Sequence, residues 1–284
     1  MAKLPVKATA VWGVLKEVRA ATEDFRPLLL GGAASVIRDL KAALLAGGDP
    51  SAVRDLSNQE LTAYDLEGAR VLVWAIEGEP SDRDEAAFRL ADRKDVDVVC
   101  LLVTPDGRLP EEDLPFVEAT NVVVSRPGEP PPGEEIARRV AELDEDKNYA
   151  LAAKLPAVRK AVCEQIVHKF ARQNGIIGVA VFIPGADLPV LTLNQIRMVL
   201  RLAAAYGQDL DRERALDLVA VLGAGFGLRA VARELLDFVP VAGWAVKGAI
   251  AYAGTRALGE AAIRYFEAGG ARGIAGAATG HHAP

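Results

Sequence analysis

The sequence predicts an α/β N-terminal domain with a mostly parallel sheet, followed by an all-α C-terminal domain of helical hairpins. In the first half, continuous apolar runs such as 70–76 (RVLVWAI) and 96–103 (VDVVCLLV) alternate with helical patterns. This order is typical of βαβ units with strands buried on both faces. In the second half, helical patterns follow one another with little two-residue alternation. A chain of 284 residues is long enough for two domains of this kind.

The first half gives clear element boundaries. Apolar runs bounded by turn residues predict strands, and apolar residues at helical spacing predict helices. Ser81 stands before a helical pattern whose first turn is acidic, which indicates a capped helix start. In chain order, the predicted elements are helix 9–22, strand 27–30, helix 35–45, strand 70–76, helix 81–94, strand 96–103 and strand 121–125.

A proline-rich stretch at 126–133 follows the last strand, and residues 134–174 are expected to be helical. A weak repeat follows: 182–186 and 238–242 each combine an apolar run with a proline, and each precedes a longer helix. The repeat predicts two similar hairpins. The expected domains are an N-terminal helix (1–24), the α/β domain (25–145), the helical domain (146–268) and a flexible tail (269–284).

Charge is distributed unevenly. Residues 1–149 carry 18 basic and 29 acidic residues, a net charge of −11, whereas residues 150–284 carry 15 and 10, a net charge of +5. Two halves of opposite sign predict two surfaces with different partners. Basic residues in the second half are spread singly without interleaved aromatics, so no nucleic-acid partner is expected. Cys100 and Cys163 form no metal-binding pattern and no disulfide framework, and the N-terminus lacks a secretory signal, so we expect a cytoplasmic protein.

The first strand–turn–helix invites comparison with the phosphate-binding loop G-x-x-x-x-G-K-[ST]. Counted from Gly31, the chain has Val36, Ile37 and Arg38 where the second glycine, the lysine and the hydroxyl should stand. Ile37 cannot neutralise phosphate charge, and Val36 adds a Cβ where close approach is required. Arg38 could still contact an anion at the helix N-terminus, the alternative being a solvated side chain. The degenerate phosphate-loop positions are Gly31, Gly32, Ser35 and Arg38.

The helix that follows, 39–44, resembles the segment after this loop in translation-factor-type GTPases. Residues 25–145 therefore resemble a degenerate GTPase domain of the Era and translation-factor type. The resemblance implies a D-x-x-G motif ending at Gly78, where Ala75 replaces the aspartate, and an N-K-x-D motif at 125–128, where no acid is present. We accordingly expect no catalytic residues, no metal, no cofactor and no enzymatic activity.

Two other patterns give no site. The glycines at 223–227 resemble a dinucleotide fingerprint, but Leu228 stands where the third glycine is required, and the preceding segment has a helical pattern. Cys163 and His168 lie five residues apart on one helix, about 140° around its axis, which is a poor geometry for a nucleophile and its base.

Two apolar runs raise the question of a membrane. Residues 175–193 and 238–255 each carry one charged residue and, as straight helices, would span about 28 and 27 Å, near the roughly 30 Å of a bilayer core. Pro184 and Pro189 interrupt the first run. A tightly packed soluble bundle and a hairpin that inserts or lies in the interface both fit the pattern. The candidate membrane-inserting residues are Ile176, Ile177, Val181, Phe182, Ile183 and Trp244.

Residues 155–266 resemble the helical domain of unknown function 697. The resemblance lies in 183–187, 193–199, 204–207, 233–235 and 240–244. It implies fusion behind Era-like or dynamin-like GTPase domains and association with membranes.

These observations favour a non-catalytic pseudo-GTPase scaffold or adaptor, whose acidic front domain binds a protein partner while the helical domain associates with membrane lipid, peripherally or as an inserted hairpin. One alternative is a nucleotide-dependent switch that binds GTP or ATP through non-standard residues such as Arg38. Another is a soluble homo-oligomer built by the helical half.

Overall fold

The computed structural model describes residues 6–109, 114–143, 147–180, 188–211, 215, 218 and 244–269. Contacts divide the chain into two compact units, and the statements below concern the described residues of each. An α/β unit contains Glu23–Val162, and a helical unit combines Met1–Thr22 with Cys163–Pro284. The N-terminal helix therefore groups with the helical half.

The α/β unit contains a five-stranded parallel sheet with the order β2-β1-β3-β4-β5. Its central strands are buried along nearly their whole length because helices cover both faces. The predicted fold class, α/β followed by all-α, is confirmed. The strands are β1 Leu28–Gly32, β2 Val53–Asp55, β3 Val71–Glu77, β4 Asp97–Val103 and β5 Val122–Ser125.

Helices α2 (Ala34–Leu44) and α4 (Gly133–Leu143) cover one face of the sheet. Helix α3 (Asp82–Arg93) covers the other face, where Phe88 packs in one cluster with Trp74 and Cys100. Short helix α5 (Asn148–Lys154) follows α4. Strand side chains alternate between the two faces, as the two-residue period of a strand requires.

Strand β2 is the element that the sequence analysis missed. It has three residues, and Val53 is the only apolar one, so it forms no run that could be recognised. It is recognised as a strand by its parallel pairing with β1, in which Leu28 lies opposite Val53 and Leu30 lies opposite Asp55. The other predicted strands and helices begin and end within two residues of their observed bounds, apart from the long helical stretch 134–174, which is divided among α4, α5 and α6.

The helical unit contains α1 (Ala8–Glu23), most of α6 (Pro156–Ala180), α7 (Leu188–Ala205) and α8 (Trp244–Glu267). Helices α6 and α8 run antiparallel: Gly259 faces Val167 near one end, and Gly248 faces Val179 near the other. A Cβ on Gly248 would lie 2.5 Å from Val179 Cγ2, so glycine at this position lets the helices approach closely.

Among these described helices, none combines the length and hydropathy needed to cross a membrane. The apolar run 175–193 is divided between α6, which ends at Ala180, and α7, which begins at Leu188. Both copies of the weak repeat, the glycine pattern at 223–227 and most of the tail lie outside the described residues, as do 238–243 of the second apolar run.

Candidate functional site

The carboxyl edge of the sheet is the place where open parallel sheets bind ligands, in particular where consecutive strands diverge. With the order β2-β1-β3-β4-β5, the divergence lies between β1 and β3. The degenerate phosphate-loop positions Gly31, Gly32, Ser35 and Arg38 lie at this point, at the end of β1 and the start of α2.

A single residue connects β1 to α2. Strand β1 runs to Gly32, helix α2 begins at Ala34, and Ala33 between them donates its N–H to the Ala75 carbonyl at 2.7 Å. A phosphate-binding loop needs several consecutive residues whose N–H groups wrap the phosphates. Here Gly31 and Gly32 are part of β1, and residues 34–38 are part of α2.

The two glycines are explained by close contact with β3. Gly32 has a φ of +94°, and a Cβ there would lie 2.0 Å from the Ala75 carbonyl oxygen. A Cβ on Gly31 would lie 2.5 Å from the ring of Trp74. Both positions therefore require glycine for packing within the sheet.

A carboxylate of the chain lies next to the first turn of α2. Ser35 Oγ donates a hydrogen bond of 2.8 Å to the carboxylate of Glu77, the last residue of β3, and both side chains are exposed. The N-terminus of a helix favours a negative charge. Glu77 supplies one there, and it would repel an incoming phosphate.

Arg38 lies on the solvent side of α2. Its side chain is 77% exposed and pairs with the neighbouring Asp39 at 2.9 Å. The hydrogen bond to Asp39, together with the charge of that carboxylate, raises the pKa of Arg38. This placement fits the interpretation of Arg38 as a solvated side chain.

Asp55 is a site residue that the sequence analysis missed, because it ends the unpredicted strand β2. It lies beside β1 at the carboxyl edge, where a carboxylate could hold a divalent cation. Lys41 donates to one of its oxygens at 3.1 Å, and the other accepts from the Ser57 N–H and hydroxyl. Burial alone would raise the pKa of Asp55, but the Ser57 hydrogen bonds and Lys41 outweigh it, so the pKa is lowered.

Contacts within the chain also join the remaining strand ends. The Gly78 N–H donates to the Val103 carbonyl, and the Thr104 N–H donates to the Ser125 carbonyl. Arg126, in the segment where the guanine-reading motif was expected, pairs with Glu129 at 3.5 Å. Within the described ranges, no group of three His, Cys, Asp or Glu side chains could hold a metal ion.

A buried polar pair lies just below this edge. Trp74 Nε1 donates to Asp84 at 2.8 Å, and the second oxygen of Asp84 accepts from the Ser81 N–H and hydroxyl at the start of α3. Burial, and secondarily the charge of Asp84, raise the pKa of Cys100 to about 12. This thiol therefore stays protonated and is a poor nucleophile.

Of the candidate membrane-inserting residues, Ile176 and Ile177 lie in the last turns of α6, which ends at Ala180. Ile176 and Val179 on α6 are 59% and 39% exposed, and Val190 on α7 is 48% exposed. We call these three residues the tip. Ile177 is half-buried. Val181, Phe182 and Ile183 lie outside the described residues, and Trp244 begins α8 with a side chain that is not described.

Comparison with protein families adds one finding. The model of the Domain of unknown function (DUF697) matches residues 143–279, which confirms the resemblance found at 155–266 and extends it at both ends. The comparisons give no support for a GTPase-like domain in the first half of the chain. No curated protein and no solved structure matched the chain.

Proposed function

We propose that the protein is a non-catalytic scaffold whose helical unit contacts a membrane surface through the tip, while its acidic α/β unit binds a protein partner. The observation that carries the proposal is the exposure of Ile176, Val179 and Val190. Single exposed apolar residues are common on protein surfaces, whereas clusters of them mark interaction sites.

The three residues lie near the same end of α6 and α7 because of the way these helices pack. Asn194 on α7 donates to Asn174 on α6 at 3.0 Å, so the start of α7 lies beside the end of α6. Ile176 and Val179 come just after Asn174, and Val190 comes just before Asn194.

The charge next to the tip suits an anionic lipid surface. Arg172 is exposed on α6 one turn before Ile176, about 6 Å further from the end of the helix. An arginine at that depth can reach lipid headgroups while the aliphatic side chains enter the interface. The net charge of +5 over residues 150–284 has the sign that anionic lipids attract. This geometry favours peripheral contact.

The non-catalytic part of the proposal rests on the carboxyl edge of the sheet. Only one residue connects β1 to α2, which leaves no loop to wrap a phosphate. The Ser35 hydroxyl is bonded to Glu77, and the Asp55 carboxylate is bonded to Lys41, so groups that a nucleotide and its metal would need already have partners in the chain. Our proposal also treats this unit as derived from a GTPase. The support is the order of the first elements of the parallel sheet, a strand that ends in glycine followed by a helix. Its net negative charge favours a partner with a basic surface.

Flotation with vesicles of phosphatidylcholine and phosphatidylserine tests the membrane contact. The wild-type chain should float, whereas the triple variant Ile176→Ser, Val179→Ser, Val190→Ser should stay at the bottom of the gradient. Leu109→Ser is the matched control, since Leu109 is an aliphatic residue 55% exposed on the α/β unit, and this variant should float like the wild type. A folded wild-type chain that does not float would refute the membrane contact.

A further inference from the structure

Helix α1 is remote in sequence from the rest of the unit to which it belongs. It ends at Glu23, about 120 residues before the family match begins, yet its contacts place it with residues 163–284. Val11, Val14, Leu15 and Val18 follow the i, i+3, i+4, i+7 pattern and are buried. α1 is therefore an amphipathic helix held by non-covalent contacts, since the chain leaves it for the α/β unit.

A carboxylate on α1 meets two arginines of α7. Glu17 accepts from Arg201 at 3.1 Å and from Arg197 Nε at 3.2 Å. The Arg201 side chain is only 10% exposed, and its guanidinium lies 5.5 Å from the centre of the Phe170 ring. Removing the acid partner from a buried guanidinium is strongly destabilising. Arg201 is thus the buried partner of this pair, and Glu17, whose side chain is 43% exposed, is the accessible one.

The same contact continues into the core of the unit. Arg197 also donates to Asn194 at 3.3 Å, and Asn194 donates to Asn174 at 3.0 Å. Asn174 in turn donates to the Thr255 hydroxyl at 2.8 Å, where both side chains are completely buried between α6 and α8. Continuous hydrogen bonds thus link α1 to the contact between α6 and α8.

We propose that the helical unit carries an acceptor groove for an amphipathic helix with a carboxylate facing Arg197 and Arg201. Helix α1 fills this groove in cis, and its occupancy is coupled to the packing of α6 on α8. Helix-in-groove recognition uses these elements, an apolar stripe for affinity and a placed charge for register. The proposal is independent of membrane contact.

Binding in trans tests the groove. The full-length variant Val14→Asp, Leu15→Asp should release its own α1 and bind a labelled peptide of residues 6–23, followed by fluorescence anisotropy. The same peptide with Glu17→Lys should bind at least about tenfold more weakly, because it brings a cation to two arginines. The wild-type chain should bind the peptide weakly, since its groove is filled. No binding to the folded variant, or equal binding of both peptides, would overturn the proposal.

A milder variant tests the coupling between α1 and the packing of α6 on α8 without changing the apolar residues of α1. Glu17→Gln keeps the shape of the side chain and removes its charge, and Glu23→Gln on the exposed side of the same helix is the control. Hydrogen exchange in 166–180 and 248–259 should become several-fold faster in Glu17→Gln and stay unchanged in Glu23→Gln. Faster exchange confined to 8–23 would contradict the coupling. This readout also serves if the double aspartate variant does not fold.

Discussion

At the scale of single residues, the glycines after β1 show how one feature can have two explanations. The sequence predicts Gly31 and Gly32 as the remains of a phosphate loop. The structure accounts for both through β3, because Trp74 and the Ala75 carbonyl occupy the space of their missing side chains. The sequence alone cannot distinguish a glycine required by backbone packing from one required by a bound phosphate.

Replacing Gly32 with alanine should lower the free energy of unfolding by about 2 kcal/mol or more. A positive φ alone costs an alanine roughly 1–2 kcal/mol. The new Cβ would also overlap the Ala75 carbonyl, which Ala33 holds in place. Gly47→Ala is the control, since Gly47 has a φ of +70° and a Cβ added there would meet nothing within 4 Å. Urea unfolding should show the larger loss for Gly32→Ala; equal losses would exclude the contact with β3 as the cause.

Acid should destabilise the protein partly through Asp49. The Ser51 N–H, the Ser51 side chain and Lys154 lower the pKa of Asp49 to about 2. An unfolded aspartate titrates near 3.9, so the stabilisation is complete above about pH 4 and is lost as the pH falls towards 2. Asp49→Asn should make the melting temperature fall less steeply below about pH 4. Parallel melting curves for the variant and the wild type would contradict this assignment.

At the scale of secondary structure elements, the periodicity of the sequence predicted most helices and strands. Only tertiary contacts show which elements each of them packs against. The segment 193–199, which carries much of the family resemblance, places Asn194 and Gln195 in a buried polar network with Asn174 and Thr255. The pattern of α7 alone could not reveal this role, because Thr255 lies 60 residues further along the chain.

Thr255→Val should therefore be costly. The Thr255 hydroxyl accepts from Asn174 at 2.8 Å and from Gln195 at 3.3 Å, and valine would leave both buried amides without this acceptor. We expect a loss of about 2–3 kcal/mol in the free energy of unfolding. Thr255→Ser keeps the hydroxyl and should recover most of the loss in the same urea titration. Similar losses for both variants would assign the effect to packing of the methyl group.

At the scale of the whole molecule, charge and the family match divide the chain along similar lines. The acidic net charge lies in the first half, and the family match at 143–279 covers most of the basic second half. The GTPase resemblance of the first half remains a prediction, argued from element order and from the two glycines. Nucleotide binding is its most direct test.

GTP or ATP with Mg²⁺ at about 1 mM should leave the melting temperature unchanged. A ligand at one hundred times its Kd stabilises the folded state by about 2.7 kcal/mol, so affinity in the micromolar range would give a shift of several degrees. Mg²⁺ alone is the control, because carboxylates such as Asp55 could bind it weakly. A nucleotide shift that disappears in Arg38→Ala would instead favour the nucleotide-dependent switch.

The sequence by itself determined the fold class, the bounds of nearly all long elements and the family resemblance of the helical half. These properties follow from local periodicity, turn residues and short motifs, which a single segment displays without its neighbours. Only the tertiary structure decided that β2 exists, that α1 belongs with the helical unit, and that Glu77, Asp55 and Thr255 take part in the contacts described. Each of these depends on residues distant in sequence, since a three-residue strand needs β1 beside it and a buried hydroxyl needs the amides of other helices.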